Sequence, residues 1–335
     1  MNEVVVSIIA PVFNSSLFLK ELLDGVISQQ FQDWEFILID DGSTDTSRNI
    51  VNEYSLRDTR IKLLVRSREP KSAQTCRNIG IENSKGKYLI VIDSDDCVGD
   101  LFLEQRVDFM EKHPDIDYAT FHGMSFRAEK NKKVFEKKWG RRVNKDLLML
   151  FLSANYPFGV WNNIYRREVF DSVAFDENIY IYQDFDLIVN VIIKGFKHDF
   201  CDTSSDDYFY RKGQEGAMTS SFVNGKKYES TIYLLTKISR LLMTTHKSRM
   251  YRKAFLYFYL LQFQRVLLYG DYIQSKRFYD LVKSEYADFK WISKKMKFLN
   301  SVVESKKTKK LSQKKITFTF NILFYKRKLF RFLRH

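Results

Sequence analysis

Two acidic clusters, at residues 40–41 and 93–96, carry side chains well suited to chemistry in the first third of this chain. Each directly follows an apolar run: Asp40 and Asp41 follow residues 35–39, and Asp93, Asp95 and Asp96 follow residues 88–92. The carboxyl ends of parallel strands are where α/β sheets bind ligands. Carboxylates there can hold a divalent cation, and the cation can hold a phosphate. The clusters therefore point to an enzyme that acts on a nucleotide-activated substrate.

Each cluster also has a simpler structural interpretation. The 93–96 cluster can be a solvated turn that caps the next helix, or a set of repelling carboxylates that share a cation. The Asp40-Asp41-Gly-Ser segment can be a turn before a helix, or it can accept hydrogen bonds from a nucleobase N–H or a ribose hydroxyl. Because the sequence has no GxGxxG fingerprint and no Walker loop, carboxylates and a metal ion would have to hold the nucleotide.

A third carboxylate, Asp184, lies at the start of a helix predicted at residues 184–194. Helix capping is one interpretation, since a negative charge is stabilised at a helix N-terminus. The other is a general base that takes a proton from an acceptor hydroxyl. The five histidines are scattered and form no metal-binding pair, so we expect them on the surface or in the core.

Length and composition limit the class of protein. The chain has 335 residues and is 44% hydrophobic, which allows one large core, or one core with a smaller appendage. Its three cysteines are widely spaced without a zinc-binding pattern, which predicts reduced thiols in a cytosolic compartment. The first residues carry no basic segment, and no uncharged apolar stretch approaches the ~20 residues of a spanning helix. We therefore expect neither a signal peptide nor a membrane span.

The net charge of +14 conceals a division between two parts of the chain. The part after Phe222 holds 27 of the 55 Lys and Arg residues but only 6 of the 41 Asp and Glu residues. The first part is therefore acidic and the second strongly basic, which indicates that they face different partners. We predict one domain over residues 1–222 and a basic, aromatic-rich helical region over residues 223–335.

Within residues 1–110 the hydrophobic pattern alternates between strands and helices, which predicts a mostly parallel sheet with right-handed crossovers. Strands are predicted at residues 4–10, 35–39, 61–65 and 88–92, and helices at residues 17–30, 43–54, 73–83 and 101–112. The strands are continuous apolar runs, as expected of a sheet covered by helices on both faces.

The pattern loosens after residue 110. We predict a strand at residues 118–126, a charged loop or edge at 130–138, a short helix at 145–153, an extended segment at 207–211, and helices at 228–243 and 252–269. A lysine-rich segment at 306–315 precedes an aromatic and basic tail at 316–335. This tail fits an interfacial helix at an anionic membrane surface, with a solvated basic bundle and a nucleic-acid-binding region as the alternatives.

Five segments, taken together and in order, resemble glycosyltransferase family 2, a large group of nucleotide-sugar transferases with the GT-A fold. They are SIIAPVFN at residues 7–14, IDDGSTD at 39–45, RNIG at 77–80, GKYL at 86–89 and DSDD at 93–96. The resemblance is strong over residues 4–110, weak to residue 221, and does not include the basic C-terminal part. It implies a Rossmann-like, mostly parallel sheet flanked by helices, with a nucleotide-binding half at 1–110 and an acceptor half at 111–222.

The resemblance also implies roles for individual residues. Pro11, Phe13 and Asn14 line the nucleotide pocket, Asp40 or Asp41 contacts the base, Arg77 and Asn78 lie near the diphosphate or the sugar, Asp93 and Asp95 form the DxD element, and Asp95 or Asp96 touches the metal ion. The implied metal is Mn²⁺ or Mg²⁺, which would stabilise the departing nucleoside diphosphate.

The same resemblance assigns the general base. The family often has a Glu-Asp pair at the start of a later helix, and the Asp of that pair is the base. This chain has Gln183-Asp184 at that place, so the assignment falls on Asp184. A metal-contacting histidine often follows a Tyr-Arg pair, whereas Gln214 and Glu215 follow that pair here, so no third metal contact is assigned.

The sequence thus predicts an inverting, metal-dependent glycosyltransferase. It would move a sugar from a nucleotide-diphosphate sugar to a hydroxyl of a saccharide or lipid-linked saccharide in cell-surface polysaccharide synthesis. We expect it in the cytoplasm, bound to the inner face of the cytoplasmic membrane through residues 306–335, with no nucleic-acid partner. A metal-dependent nucleotidyltransferase is a second enzyme class, but the triphosphate loop usual in that class is missing. A nucleic-acid-binding protein that uses the basic C-terminal region is the non-enzymatic alternative.

Overall fold

The computed structural model of the protein describes residues 3–129, 132–202, 205–213 and 225–307. The chain divides into two compact units: residues 1–151 with 155–217, and residues 152–154 with 218–335. Most of the predicted membrane-binding tail, residues 308–335, lies outside the described residues, as do Gln214 and Glu215.

The first unit contains eleven strands among the described residues. They are β1 (Val6–Val12), β2 (Trp34–Asp40), β3 (Ile61–Val65), β4 (Tyr88–Val91), β5 (Cys97–Val98), β6 (Tyr118–Thr120), β7 (Gly123–Glu129), β8 (Lys132–Trp139), β9 (Asn163–Arg166), β10 (His198–Phe200) and β11 (Tyr208–Lys212). Seven form a sheet in the order β10-β6-β9-β4-β1-β2-β3, in which only the two pairs made by β9 are antiparallel.

Helices flank this sheet, and others form the second unit. They are α1 (Leu19–Ile27), α2 (Ser47–Arg57), α3 (Ala73–Glu82), α4 (Phe102–Lys112), α5 (Leu147–Leu152), α6 (Arg167–Ser172), α7 (Gln183–Ile193), α8 (Gly225–Met243), α9 (Ser248–Tyr269), α10 (Tyr272–Glu285) and α11 (Lys290–Lys307). All seven residues of β2 and all four of β4 are buried, as the continuous apolar runs predicted. The mostly parallel sheet with helices around it confirms the predicted fold class.

The register of the central strands brings the two acidic clusters to one edge of the sheet. β1 lies between β2 and β4, and all three run in the same direction. Val12 at the end of β1 is level with Asp40 at the end of β2. Asp93 lies two residues beyond the end of β4. The clusters therefore lie on either side of the carboxyl end of β1.

A second, smaller sheet follows the 93–96 cluster. Its order is β5-β11-β7-β8, in which β11 is parallel to β7 and antiparallel to β5, and β7 is antiparallel to β8. β5 begins directly after Asp96, so the acidic cluster connects the two sheets.

Two of the predicted elements differ from the structure for a reason that local contacts explain. The strand predicted at residues 118–126 is two strands in different sheets, since β6 ends at Thr120 and β7 begins at Gly123. A side chain at Gly123 would lie 2.8 Å from the Tyr208 carbonyl oxygen and 2.9 Å from Trp161, so glycine permits this crossing. The helix whose cap was predicted at Ser43 or Thr44 begins only at Ser47, because Asp45 accepts a hydrogen bond from the Ser47 amide and lies before the helix and not in its first turn.

The second unit is helical, as predicted. Its core includes Phe255, Tyr259, Phe263 and Phe278, whose rings pack from α9 onto α10. Arg252 is almost buried and forms a two-pronged ion pair with Asp288. Across the part of the chain that the structure describes, no helix has both the length and the apolar character that crossing a bilayer requires.

Candidate active site

Three carboxylates converge where β4 leads into β5. Ligand oxygens of Asp93, Asp95 and Asp96 all lie within 4.8 Å of one another, and no other such group occurs among the described residues. Asp93 and Asp95 are half-buried, whereas Asp96 is fully buried. Burial and the negative charge of Asp93 raise the pKa of Asp95 to about 6. The three carboxylates therefore repel one another in a poorly solvated place.

Asp96 is held by β11. The Tyr208 hydroxyl donates to Asp96 Oδ2 over 2.5 Å, and the Arg211 backbone amide donates to Asp96 Oδ1 over 2.7 Å. Burial and the charges of Asp95 and Asp93 raise the pKa of Asp96 well above its ordinary value. Both Asp96 oxygens already accept a hydrogen bond. This carboxylate therefore anchors residues 93–96, which we call the acidic loop, to the second sheet.

The side chain of Arg211 holds the same loop from another side. Its Nε donates to the Asp95 carbonyl oxygen over 2.7 Å, and its Nη2 pairs with Glu21 of α1 over 2.5 Å. The guanidinium lies over the rings of Phe18 and Phe126, so it is fixed on its faces as well as at its edge. Arg211 thereby links the acidic loop to both α1 and β11.

The donor set of the acidic loop suits a hard divalent cation. Mg²⁺ and Mn²⁺ prefer carboxylate oxygens and are often bound by one or two carboxylates together with substrate phosphates. Asp95 accepts no hydrogen bond from another side chain in the described residues, and Asp93 accepts one, through Oδ1. Asp95 and Asp93 therefore have free oxygens to offer a cation, whereas the oxygens of Asp96 are engaged.

Arg77 lies between the acidic loop and Asp184. This α3 side chain is 2% exposed; its Nη2 donates to Asp93 Oδ1 over 2.6 Å, and its Nη1 lies 3.8 Å from Asp184 Oδ1. Its guanidinium also lies over the ring of Phe175. Nε and Nη1 of Arg77 and Oδ1 of Asp184 are buried and have no hydrogen-bond partner among the described residues. One guanidinium therefore faces the acidic loop on one side and the predicted base on the other.

Asp184 is the second residue of α7, and the left-handed backbone of Tyr182 (φ 65°) sets the direction in which that helix begins. Burial raises the pKa of Asp184 to about 6, with the charge of Arg77 acting against the rise and that of Asp93 adding to it. A carboxylate with this pKa is ionised near neutral pH and is a stronger base than an exposed aspartate. The local structure therefore suits the role of general base.

Asn14 connects the loops that follow β1 and β2. Its Oδ1 accepts hydrogen bonds from the Thr44 amide over 2.8 Å, the Thr44 hydroxyl over 3.3 Å and the Asp45 amide over 3.4 Å. The backbone N–H of Asn14 donates to the Ser43 hydroxyl, and its backbone is left-handed, with φ 50°. Asparagine tolerates this conformation better than most residues do. Asn14 thus fixes the edge of the predicted nucleotide pocket.

Phe13 is 48% exposed at this pocket, and the ammonium group of Lys71 lies 4.1 Å from the centre of its ring. Pro11 is half-buried near the end of β1, level with Ile39 in the neighbouring strand and two residues before Phe13. An exposed aromatic ring beside a cation is a surface on which a nucleobase can stack.

Asp40 and Asp41 have different partners. Asp40 is fully buried, accepts hydrogen bonds from the amides of Gly42 and Ser43, and lies 3.6 Å from Arg48. Asp41 accepts a hydrogen bond from Arg66 Nε over 2.7 Å, and burial raises its pKa. Asp40 therefore shapes the Gly42 turn, whereas Asp41 is a buried partner of Arg66.

Asn78 makes structural contacts. Its side chain donates to the Phe175 carbonyl over 2.9 Å and to Glu177 over 2.8 Å, and accepts from the Phe175 amide over 3.1 Å. These bonds fix the segment on which Phe175 lies against Arg77. Of the predicted Arg77-Asn78 pair, Arg77 reaches the carboxylates and Asn78 supports the segment behind it.

Tyr208, Arg211 and Glu21 were not singled out from the sequence as site residues, although they hold the acidic loop. Their contacts join positions more than 100 residues apart, and no local spacing reveals such pairs. One signal was available: β11 is aromatic and extended, with Tyr208, Tyr210 and Arg211 alternating across its two faces.

The family model for glycosyl transferase family 2 matches residues 7–174, which is half of the chain. The protein belongs to glycosyltransferase family 2. The matched range includes the loop after β1 that holds Asn14, the helix α3 that holds Arg77, and the acidic loop. It ends before Asp184 and β11.

Individual glycosyltransferases and a teichoic acid biosynthesis protein are also similar to this chain. The chain is 40% identical to an uncharacterised glycosyltransferase of Haemophilus influenzae over 110 residues, which cover 33% of this chain and 44% of the relative. It is 28% identical to the minor teichoic acid biosynthesis protein GgaA of Bacillus subtilis over 281 residues, which cover 79% and 60% of the two chains. The chain spans about half the length of the first curated relatives it matches, from 40% to 53%.

A solved structure shares the fold of this family 2 protein over most of its length. This is S. aureus TarS 1-349 in complex with UDP-GlcNAc, with a TM-score of 0.64 and 18% identity. The alignment covers 91% of this chain and 92% of the TarS chain, so it includes helical residues after the family match. At this identity the likeness establishes the fold.

Proposed function

We propose that this protein is an inverting, metal-dependent glycosyltransferase that uses a nucleotide-diphosphate sugar. The observation that carries the proposal is Arg77, whose guanidinium lies between Asp93 of the acidic loop and Asp184 of α7. Inverting transfer needs a base on one side of the sugar and a charge-stabilising group for the leaving diphosphate on the other. The side chains around Arg77 supply both.

Asp184 acts as the base in this proposal. It accepts the proton of the acceptor hydroxyl as the hydroxyl oxygen attacks the anomeric carbon, and the bond from that carbon to the diphosphate oxygen breaks on the opposite face. The pKa of about 6 keeps Asp184 ionised at neutral pH and still basic enough to accept a proton.

Asp95 and Asp93 hold the divalent cation, either Mn²⁺ or Mg²⁺, with Asp96 supporting the loop through Tyr208 and Arg211. The cation, when bound, offsets the charge that develops on the departing nucleoside diphosphate. Arg77 places a further positive charge beside Asp93, and Phe13, Asn14 and Asp41 bind the nucleoside.

The acceptor in this proposal is a hydroxyl of a saccharide or lipid-linked saccharide used in cell-surface polysaccharide synthesis. Its support is the relative named for teichoic acid biosynthesis. We further propose that the basic tail at residues 306–335 attaches the protein to an anionic membrane surface, since the acceptor would be found there. The support for this step is the charge division of the sequence.

A thermal-shift screen of UDP-, GDP-, CDP- and dTDP-sugars with Mn²⁺ tests the donor site. A ligand at 100 times its Kd stabilises the native state by roughly 2.7 kcal/mol, so the correct donor raises Tm by several degrees. Asp95→Asn should lose the Mn²⁺-dependent part of the shift, whereas Lys85→Gln, an exposed change at the opposite edge of the sheet, should keep it. No shift with any of the nucleotide sugars would overturn the proposal.

A further inference from the structure

One face of the second sheet carries basic side chains next to the proposed site. Tyr210 of β11 is level with Ser125 of β7, which is level with Lys137 of β8, so the three lie in one row across the sheet. Lys212 and Arg127 form the next row. Residues level with one another in adjacent strands share a face. We call this surface the Tyr210 face.

A continuous stack of aromatic rings links the acidic loop to Lys137. Trp161 lies parallel to Tyr208 at 4.7 Å and to Tyr210 at 5.4 Å, and it meets Trp139 edge to face at 5.9 Å. The Lys137 ammonium group lies 3.3 Å from the centre of the Trp139 ring. Because Tyr208 donates to Asp96, the stack begins at the acidic loop and ends at an exposed lysine.

Positive charge exceeds negative charge on this face. Lys212 and Arg127 share one carboxylate, Glu136, at 3.2 Å and 2.7 Å. Lys137 has no carboxylate within 4.0 Å in the part of the chain that the structure describes, and it lies close enough to Lys212 for the two charges to repel. Among Lys137, Lys212, Arg127 and Glu136, three cations and one anion leave a surplus of two positive charges, which an anionic ligand would balance.

The Tyr210 face differs from the opposite face of the same sheet. On the opposite face Arg211 and Lys133 both pair with Glu21 of α1, and Phe126 and Phe135 pack together. That face is therefore satisfied by contacts within the unit. The unbalanced charge lies on the face that Tyr208 connects to the acidic loop.

We propose that the Tyr210 face is the acceptor-binding surface, and that Lys137 and Lys212 bind a negatively charged group, phosphodiester or carboxylate, on the acceptor chain. The inference rests on the proposed function and names the substrate class of that site. The Cα atoms of Tyr210 and Lys137 are two strand spacings, about 10 Å, apart. Burial and the charges of the nearby Asp93 and Asp184 raise the pKa of Tyr210, so Tyr210 marks a part of the face close to the proposed base. The anionic group bound at Lys137 therefore lies at a distance from the reacting hydroxyl, and it orients the acceptor without taking part in the reaction.

Binding of three defined probes to the full chain tests this surface. The probes are a glycerol phosphate oligomer, an oligogalacturonate and a neutral maltooligosaccharide, measured by calorimetry with Mn²⁺ and the nucleotide that stabilises the protein best. We expect at least one anionic probe to bind roughly tenfold tighter than the neutral one, with a preference that falls as salt is raised. The phosphate and carboxylate probes distinguish the two sources of charge.

Two variants locate the effect. The double variant Lys137→Gln/Lys212→Gln should lose the preference for the anionic probe, while Lys85→Gln, with an exposed lysine outside the face, should keep it. Nucleotide affinity and slow hydrolysis of the donor in the absence of acceptor should be unchanged in all variants. Equal binding of the neutral probe, or a double variant that keeps the preference, would overturn the inference.

Two further outcomes separate this inference from the proposed function. If the double variant weakens nucleotide binding instead, the two lysines serve the donor and the acceptor assignment is wrong. If donor hydrolysis persists while no probe preference exists, the inference fails and the proposed function stands. Absence of donor hydrolysis with every nucleotide sugar would instead count against the proposed function.

Discussion

At the scale of single residues, Arg77 has two different carboxylates as neighbours. It donates a hydrogen bond to Asp93 over 2.6 Å and approaches Asp184 at 3.8 Å, while its Nε and Nη1 have no hydrogen-bond partner in the part of the chain that the structure describes. A buried arginine without full pairing is energetically unfavourable, and such groups concentrate at functional sites. Bound substrate oxygens would complete its hydrogen bonds.

Replacing the proposed base should stop the reaction and leave the protein folded. Asp184→Asn keeps the shape of the side chain but cannot accept the proton at neutral pH, so we expect transfer to fall by about 10²–10⁴-fold. The donor-induced thermal shift should persist, because the base binds the acceptor hydroxyl. Asp95→Asn should also abolish transfer, but with loss of the Mn²⁺-dependent shift. Full activity of either purified variant would show that its role is misassigned.

The dependence of transfer on pH should report Asp184. Its pKa of about 6 means that the base is protonated below that pH, so kcat/KM should fall tenfold per unit below about pH 6 and level off above it. Arg77 lowers this pKa, so Arg77→Met should move the midpoint upward, whereas Arg77→Lys, which keeps the charge, should move it less. An unchanged midpoint in Arg77→Met would contradict the electrostatic link.

The sequence indicated the carboxylates of the candidate site but not the side chains that hold them in place. Asp93 and Asp95 were proposed as site residues because they follow a strand, and Asp184 because it starts a helix and matches the Asp of the family's Glu-Asp pair. Such signals can be recognised locally. The hydrogen bonds from Tyr208 and Arg211 to the acidic loop depend on how β11 enters the second sheet. That arrangement results from packing between distant segments, which no spacing along the chain encodes.

At the scale of elements, the glycine of the GKYL segment has a packing reason. A side chain at Gly86 would lie 2.5 Å from the Ser7 amide nitrogen and 2.7 Å from the Val6 carbonyl carbon, both in the central strand β1. The backbone cannot move away there without breaking the register of β1 against β4. Glycine at this position allows the chain to enter β4 close to its neighbour.

Gly86→Ala should therefore destabilise the first unit by about 1–3 kcal/mol, the usual effect of overpacking. Urea unfolding measures the change. Gly225→Ala is a suitable control at the start of α8, since no atom of another described segment lies within 4 Å of the added carbon, and it should be neutral or slightly stabilising. Equal stability of the Gly86→Ala variant and the parent protein would contradict this packing.

Edge strand β10 should make the fold sensitive to acid. Burial lowers the pKa of His198 to about 3, and its ring packs among Phe158, Phe200 and Tyr118. Because the unfolded histidine titrates near 6.5, the unfolded state binds the extra proton first as pH falls. The stability from the neutral ring is thus present above about pH 6.5 and lost progressively below it, by at most about 1.4 kcal/mol per unit.

The test is the slope of Tm against pH between about pH 6.5 and pH 4.5, compared in the parent protein and in His198→Phe. Phenylalanine keeps the aromatic packing and removes the titrating group, so the variant should lose less stability on acidification. It also loses the hydrogen bond between His198 and Thr120, which lowers Tm at neutral pH without changing the slope. The same slope in both proteins would show that His198 does not set the acid sensitivity.

Strands of the central sheet differed in how well the sequence predicted them. β2 and β4 are buried throughout and mostly apolar because helices cover both faces, so the pattern was easy to recognise. β9 has only the four residues NIYR and runs antiparallel between β4 and β6, with no alternation to mark it. β5, with two residues, is recognisable only through its pairing with β11.

At the scale of the whole molecule, the two parts of the chain have opposite charge. The part after Phe222 holds 27 Lys and Arg residues against 6 Asp and Glu residues. The sequence predicted a helical second region from its apolar periodicity, and the described residues confirm the helices. Charge, by contrast, indicates the kind of partner and not the fold.

Co-sedimentation with lipid vesicles tests the proposed membrane attachment. The full chain should sediment with vesicles that contain anionic lipid, less with neutral vesicles, and less again as salt is raised. Deletion of residues 306–335 should abolish sedimentation without changing the donor-induced thermal shift. Random DNA is the competing partner: lipid binding that survives the deletion, or DNA that binds more tightly than the vesicles, would count against a membrane role for the tail.

The three hydrogen bonds accepted by Asn14 Oδ1 have a consequence for the kinetics of donor binding. They fasten the loop after β1 to the loop after β2, so little ordering remains for the nucleotide to impose. The observed rate of nucleotide association should then rise linearly with nucleotide concentration in stopped-flow measurements, without the plateau of a preceding slow loop closure. Asn14→Ala removes these three hydrogen bonds and leaves the loops tied mainly by backbone amides, such as that of residue 14 to the Ser43 hydroxyl, so a plateau should emerge.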